Sequence, residues 1–150
     1  MLDIDYHAGN GTQDIFYERN DVLTISIHGD PDFEYPHYFG FADETGSGVG
    51  LGFHRNFPLP KGTNDEQYLS VLHEALSLIR DFAPNYLVVS AGMDTFDGDP
   101  LGTFKVTQNG FTKIGGRIAA LHLPTVVIME GGYANEALGT NIVTLLENFK

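Results

Sequence analysis

Asp5 and His7 are separated by one residue at the end of a short apolar run. Residues two apart on a strand project to the same side, so this carboxylate and imidazole can share one cation. Asp94 closes another apolar run and supplies a further oxygen, completing a set of two aspartates and one histidine. Three protein ligands that leave one position open for water and substrate are what a catalytic zinc site needs. By itself, Asp-x-His is more often a strand-end pair with ordinary hydrogen bonds than a metal site. A third apolar run ends in Glu130-Gly131-Gly132-Tyr133, where glycines let a tight turn carry an aromatic hydroxyl to a rim. Taken alone, Tyr133 is an ordinary interfacial aromatic.

The elements that must position these residues follow from periodicity. Apolar runs at 2–6, 22–28, 50–57, 86–90 and 125–129 alternate with segments of helical period. That alternation predicts an α/β fold, a parallel sheet flanked by helices. The runs Leu87-Val88-Val89-Ser90 and Val126-Val127-Ile128-Met129 are apolar on both faces, which predicts strands covered by helices on both sides. The strongest helix spans 64–82, with Tyr68, Val71, Leu72, Ala75, Leu76, Ile79 and Phe82 in one stripe. Asn64 or Asp65 caps it and Pro84 stops it. Two more helices are predicted over 107–121, burying Phe111, Ile114 and Ile118, and over 135–149, with Leu138, Ile142, Leu145 and Leu146. The glycine- and proline-rich stretch 29–50 reads as a long loop. In open parallel sheets, ligands bind beyond the carboxyl ends of the strands, where Asp5, Asp94 and Tyr133 all fall.

Composition narrows the chemistry further. A chain of 150 residues supports one domain with a real core. With no cysteine, thiolate metal sites, disulfides and cysteine nucleophiles are excluded, and any metal must be held by His, Asp or Glu. The 8 basic against 20 acidic side chains give a formal charge of −12, which disfavours nucleic acid and anionic membranes as partners. A cationic substrate would be welcomed, although an acidic surface equally serves solubility. The first residues hold neither a basic region nor an apolar run, and no stretch is long enough to span a membrane, so a cytoplasmic protein is expected.

The run 3–17, Asp3-Ile4-Asp5-Tyr6-His7-Ala8-Gly9-Asn10-Gly11-Thr12-Gln13-Asp14-Ile15-Phe16-Tyr17, resembles the metal-binding segment of the histone deacetylase superfamily. Ser26-Ile27-His28-Gly29-Asp30-Pro31, Asp43-Glu44-Thr45-Gly46 and Asn56-Phe57-Pro58-Leu59-Pro60 follow in that family's order. Later come the run 90–100, containing Asp94-Thr95-Phe96-Asp97-Gly98-Asp99-Pro100, and Glu130-Gly131-Gly132-Tyr133. The details lean toward the bacterial acetylpolyamine amidohydrolase branch. The resemblance covers essentially the whole chain and implies the C-terminal half of the arginase-deacetylase fold.

That resemblance implies roles residue by residue. Asp5, His7 and Asp94 match the metal ligands, for zinc or alternatively iron. Tyr133 matches the catalytic tyrosine that polarises the amide carbonyl, and Asp3 a carboxylate that orients a catalytic histidine. Asp3, Asp5, His7 and Ser26, with the Ile27 backbone, match a potassium site. Backbone positions at Phe16, Arg19, Val22 and Phe53 match a second cation site. Tyr35, Leu101 and Gly131 match substrate-binding positions, Tyr35 as an aromatic wall. Leu101 stands where eukaryotic polyamine deacetylases carry an acidic gatekeeper, and Ala8 where close relatives often show a second histidine. His37, His54, His73 and His122 match no ligand position and are expected at the surface or in packing.

The same resemblance implies what is missing. The family's first half holds an adjacent pair of histidines acting as general base and acid, and no His-His dipeptide occurs here. The implied strand order runs from the Tyr133 strand through those of Asp94, Asp5 and Ser26 to that of Asn56, leaving the Tyr133 strand as a bare edge. Such an edge recruits another chain, so a homo-oligomer or a separately encoded N-terminal half is the expected partner. The implied function is zinc-dependent hydrolysis of an acetylated cationic amine, acetylpolyamine or acetyl-lysine, weak or absent in this chain alone. The alternative is a non-catalytic metal-binding or interaction module derived from a truncated deacetylase gene.

Overall fold

Five strands and four helices form along the chain. In the computed structural model, which describes residues 1–149, they are β1 (Leu2–Asp3), α1 (Asn10–Phe16), β2 (Thr24–Gly29), β3 (His54–Leu59), α2 (Asp65–Phe82), β4 (Leu87–Ala91), α3 (Gln108–Ala119), β5 (Thr125–Met129) and α4 (Asn135–Leu146). The strands make one parallel sheet in the order β3-β2-β1-β4-β5, the order expected from the sequence. Every residue of β2 is buried, and Leu2, Ile25, Ile27, Leu87 and Val89 form the middle of the core.

The helices start and stop where local chemistry dictates. Asn64 caps α2 by accepting the Gln67 N–H, and the Gln67 side chain accepts the Asn64 N–H in return. Ala83, in the left-handed conformation, ends it just before Pro84. The predicted stripe faces inward, with Tyr68, Leu72, Ala75, Leu76 and Ile79 buried. Thr107 caps α3, which buries Phe111, Ile114 and Ile118 as expected. Gly115 lets α4 approach α3 closely: a side chain there would collide with the Leu145 carbonyl.

Four features depart from the sequence reading. The first strand stops at Asp3 instead of reaching residue 6: the Ile4 N–H still bonds the Ser90 carbonyl at 2.9 Å, but the three amides after it turn to carboxylates rather than to neighbouring strands. The Asp5 N–H goes to Asp3 Oδ1, that of Tyr6 to Asp94 Oδ1 and that of His7 to Asp5 Oδ1. The third strand begins at His54 rather than residue 50, since Gly48–Gly50 form a 3₁₀ turn. Helix α1 was not expected; it has no side-chain cap and Gln13 is its one buried residue, so it leaves no apolar stripe. Strand β5 is covered on one face only: Val126 and Ile128 are 60% and 44% exposed at the sheet edge. Among the described residues no helix is long and apolar enough to cross a membrane.

Candidate metal centre

Beyond the carboxyl ends of β1 and β4, Asp5, His7 and Asp94 converge. His7 Nδ1 lies 3.3 Å from Asp5 Oδ1 and 3.1 Å from Asp94 Oδ2. One donor atom from each residue falls within 4.8 Å of the others. The main chain holds them there. Asp94, fully buried, also accepts the Tyr6 N–H at 2.8 Å. Asp5 accepts the His7 N–H at 2.8 Å on one oxygen and the Gly131 N–H at 2.9 Å on the other. Glycine is required at 92 and 131, because a side chain at either would strike the Asp5 carboxylate.

The electrostatics of the cluster call for a positive charge. Hydrogen bonds to Asp5 and Asp94 push the His7 imidazole up to about 10, against the opposing effect of burial. Burial raises Asp94. At Asp5 burial acts the same way but is outweighed by the hydrogen bonds from His7 and Gly131, so its carboxyl is lowered. Burial pushes Asp3 up to about 8, with the charges of Asp5, Glu130 and Asp94 adding to it. Two carboxylates and an imidazole aimed at one point are a hard-to-borderline donor set, which suits zinc or iron(II) and leaves coordination positions free. These residues therefore fit a divalent transition metal.

Asp3, Asp5, His7, Tyr35, Leu101, Gly131 and Tyr133 all line one open cavity of about 540 Å³. Tyr35 meets the His7 ring edge-on, with centroids 6.3 Å apart. The Tyr133 ring is 45% exposed. Desolvation and the charges of Asp94, Asp5 and Asp99 raise its phenol above the ordinary value. Ser26 and Ile27 lie on β2, outside the lining of this cavity. Ser26 pairs with Asp3 across the strands, and its hydroxyl meets His28 Nδ1 at 2.7 Å and accepts the Gly9 N–H at 3.4 Å. Phe16 and Val22 line a different cavity, near the amino ends of β1 and β4. The Arg19 N–H bonds the Phe16 carbonyl and the Thr24 N–H the Phe53 carbonyl, each at 3.0 Å.

Some residues that shape the site carried no role in the sequence reading. The hydroxyl of Tyr6, the residue between Asp5 and His7, reaches Glu34 Oε2 at 2.8 Å and Thr103 Oγ1 at 2.7 Å. Glu34 in turn accepts the Tyr35 N–H at 3.2 Å, tying that aromatic to the core. Asp99 holds the Tyr133 segment, its Oδ2 accepting the Tyr133 and Ala134 N–H groups at 2.7 and 3.0 Å. An aspartate between glycine and proline reads as a turn residue, and nothing local announces partners 34 residues away. His54 is a packing residue, bonded to Thr24 and Gln13, while His37, His73 and His122 are exposed.

A model of the Histone deacetylase domain matches residues 1–149. The chain is 49% identical over 150 residues to acetylpolyamine amidohydrolase 1 of Pseudomonas aeruginosa, covering 43% of that protein. It is 45% identical over 147 residues to the acetylpolyamine amidohydrolase of Mycoplana ramosa, again covering 43%. The crystal structure of the acetylpolyamine aminohydrolase from Burkholderia pseudomallei superposes with a TM-score of 0.96 at 46% identity, over 99% of this chain and 43% of that one. A histone deacetylase homolog from Aquifex aeolicus superposes at 0.92 with 32% identity, over 99% of this chain and 40% of that one. The chain thus spans less than half the length of these relatives.

Proposed function

The chain belongs to the histone deacetylase domain family, and on that premise we propose that its metal centre serves the hydrolysis of an acetyl amide on a cationic amine, of the acetylpolyamine or acetyl-lysine kind. The observation that carries this reading is the meeting of Asp5, His7 and Asp94 donor atoms within 4.8 Å of one another, with Asp5 and His7 on the lining of the cavity that Tyr133 also lines. Asp5, His7 and Asp94 would hold zinc, or alternatively iron; when bound, the metal supplies Lewis acidity toward the amide carbonyl and acidifies water. The Tyr133 hydroxyl donates to the carbonyl oxygen as negative charge grows there, an interaction strongest in the transition state. Tyr35 and Leu101 wall the chain that carries the acetyl group, and Gly131 gives it backbone-close passage. A formal charge of −12 draws a cationic amine toward the cavity. Asp3 and Ser26, cross-strand partners, are assigned with the Asp5, His7 and Ile27 positions to a potassium ion that sets the field beneath the site.

Protonation of the leaving amine is the step these residues serve least. His7 is committed to the metal, His28 is fully buried, and the sequence contains no adjacent histidine pair. General acid–base catalysis contributes a factor of about 10² to 10⁴, so turnover by these 150 residues alone is expected to be at least about a hundredfold below that of a full-length relative. The partner implied is the portion of the relatives that lies outside the match, covalently joined or separately supplied. Elemental analysis and hydrolysis of acetylated polyamine and acetyl-lysine substrates test the reading together. We expect about one divalent metal per chain, lost in Asp94→Ala, and restoration of turnover by that added portion, abolished again by Tyr133→Phe. Unchanged metal stoichiometry and affinity in Asp94→Ala would sink the ligand assignment, and fast turnover by the isolated chain would show that another group moves the proton.

A further inference from the structure

Helix α4 begins without a side-chain cap of its own, at Ala134. The N–H groups of Tyr133 and Ala134 turn instead to Asp99 Oδ2, at 2.7 and 3.0 Å. The other oxygen, Oδ1, accepts the Leu101 N–H at 2.9 Å. Asp99 is only 5% exposed, so both of its oxygens are given over to the main chain of two separate rim segments. One segment carries Leu101 and the other Tyr133, on the lining of the same cavity.

We infer that Asp99 is the positioning residue of this rim, its carboxylate holding Tyr133 and Leu101 in one fixed relation across the mouth of the metal centre. The Tyr133 side chain, 45% exposed, makes no hydrogen bond among the described residues, so its placement is decided by its backbone. Beyond the local bond from the Asn135 N–H to the Tyr133 carbonyl at 2.9 Å, that backbone has two anchors. Upstream, the Gly131 N–H is held by Asp5 Oδ2 at 2.9 Å and the Gly131 carbonyl accepts the Met93 N–H at 2.7 Å. Gly132 then takes φ +141, a conformation that side-chain-bearing residues rarely adopt. Downstream, Asp99 supplies the second anchor, and its negative charge sits at the amino end of α4, where the helix dipole favours an anion. Without the second anchor, the ring would be held only by that local bond and by a glycine pair that imposes no single conformation.

The chemistry of the anchor is specific to a carboxylate. Both oxygens accept, whereas an amide has one accepting oxygen and would turn a donor toward a donor on its other side. The isosteric Asp99→Asn can therefore satisfy Leu101 or the Tyr133–Ala134 pair, but not both. What Tyr133 is positioned for rests on the proposed hydrolysis; how it is positioned does not.

Amide hydrogen exchange read by NMR, with tyrosine-selective ring labelling, tests the assignment on the whole chain. In Asp99→Ala, exchange at Leu101, Tyr133 and Ala134 is expected to accelerate at least about tenfold, the effect of losing a hydrogen bond to a charged acceptor. Amides in β4 and in the middle of α2 should keep their wild-type rates. Among the seven tyrosines, the Tyr133 ring resonance alone should move. In Asp99→Asn, protection should fall on one side only, and it should be unaffected elsewhere. Wild-type protection of Tyr133 and Ala134 in Asp99→Ala would overturn the inference. So would an equal loss across β4 and α2, which would make Asp99 a general stabiliser, or full protection of all three amides in Asp99→Asn. None of these readouts needs bound metal or turnover, so a failure of the proposed hydrolysis and a failure of this inference are told apart.

Discussion

Histidines in this chain divide according to what burial and neighbours do to their charge. His7, between two carboxylates, is driven toward the protonated form, because hydrogen bonds to Asp5 and Asp94 stabilise the imidazolium. His28 is the reverse: fully buried, bonded to Ser26 and to the Gly40 carbonyl, it is pushed down to about 4, chiefly by desolvation. His54 is lowered by the same cause. A base lowered in the folded state binds its proton preferentially when unfolded, so its contribution is complete above the unfolded value of about 6.5 and is lost as pH falls toward the folded value. The His28 contribution to stability is therefore expected to be lost between about pH 6.5 and pH 4, on the order of 3 kcal/mol, while Asp3, raised to about 8, contributes in the opposite sense over the same range. Histidine-ring NMR across that range reads His28 by itself. A His28 ring that takes up its proton near about pH 6.5 would show that it titrates normally.

At the scale of elements, α2 shows how local and tertiary terms differ in size. Its capping box joins Asn64 and Gln67, and Asn64→Ala is expected to cost about 1 kcal/mol. Leu72, wholly buried on the inner face of the same helix, should cost about 2–5 kcal/mol when truncated to alanine, because a cavity is added to the lost transfer energy. Denaturant unfolding of the two single variants should rank them in that order. An Asn64→Ala effect equal to that of Leu72→Ala would mean that the cap does more than close the first turn. Strand β1 makes the complementary point: the amides of Asp5, Tyr6 and His7 just beyond it are captured by carboxylates, and the captures from Tyr6 and His7 orient Asp94 and Asp5.

An apolar margin runs along β5. Strand β5 lies at the sheet edge with Val126, Ile128 and Met129 at 60%, 44% and 53% exposure, so an unpaired ladder coincides with exposed side chains. Edges of this kind recruit further strands or chains. We expect light scattering to find species larger than the monomer as concentration rises, and more of them at high salt, where repulsion between chains of net charge −12 is screened. Ile128→Lys on the exposed face should shift the population to monomer. A sharp monomer peak at high concentration, in low and high salt alike, would contradict this.

What the sequence determined by itself was periodic or local. The stripe from Tyr68 to Ile79, the apolar runs at 87–90 and 125–129, and the cap at Asn64 each depend on neighbours within a few residues, so the α/β order and the positions of Asp5, His7, Asp94 and Tyr133 at strand ends could be read directly. Helix α1, the true end of β1 and the open face of β5 could not. They depend on which carboxylate captures an amide and on which faces find a neighbour. Asp5 and His7, two residues apart, could be paired from spacing, but the contact of Asp94 with His7 and the hold of Asp99 on Tyr133 were decided by the tertiary structure, because hydrogen bonds across 87 and 34 residues of chain leave no spacing for a sequence to display.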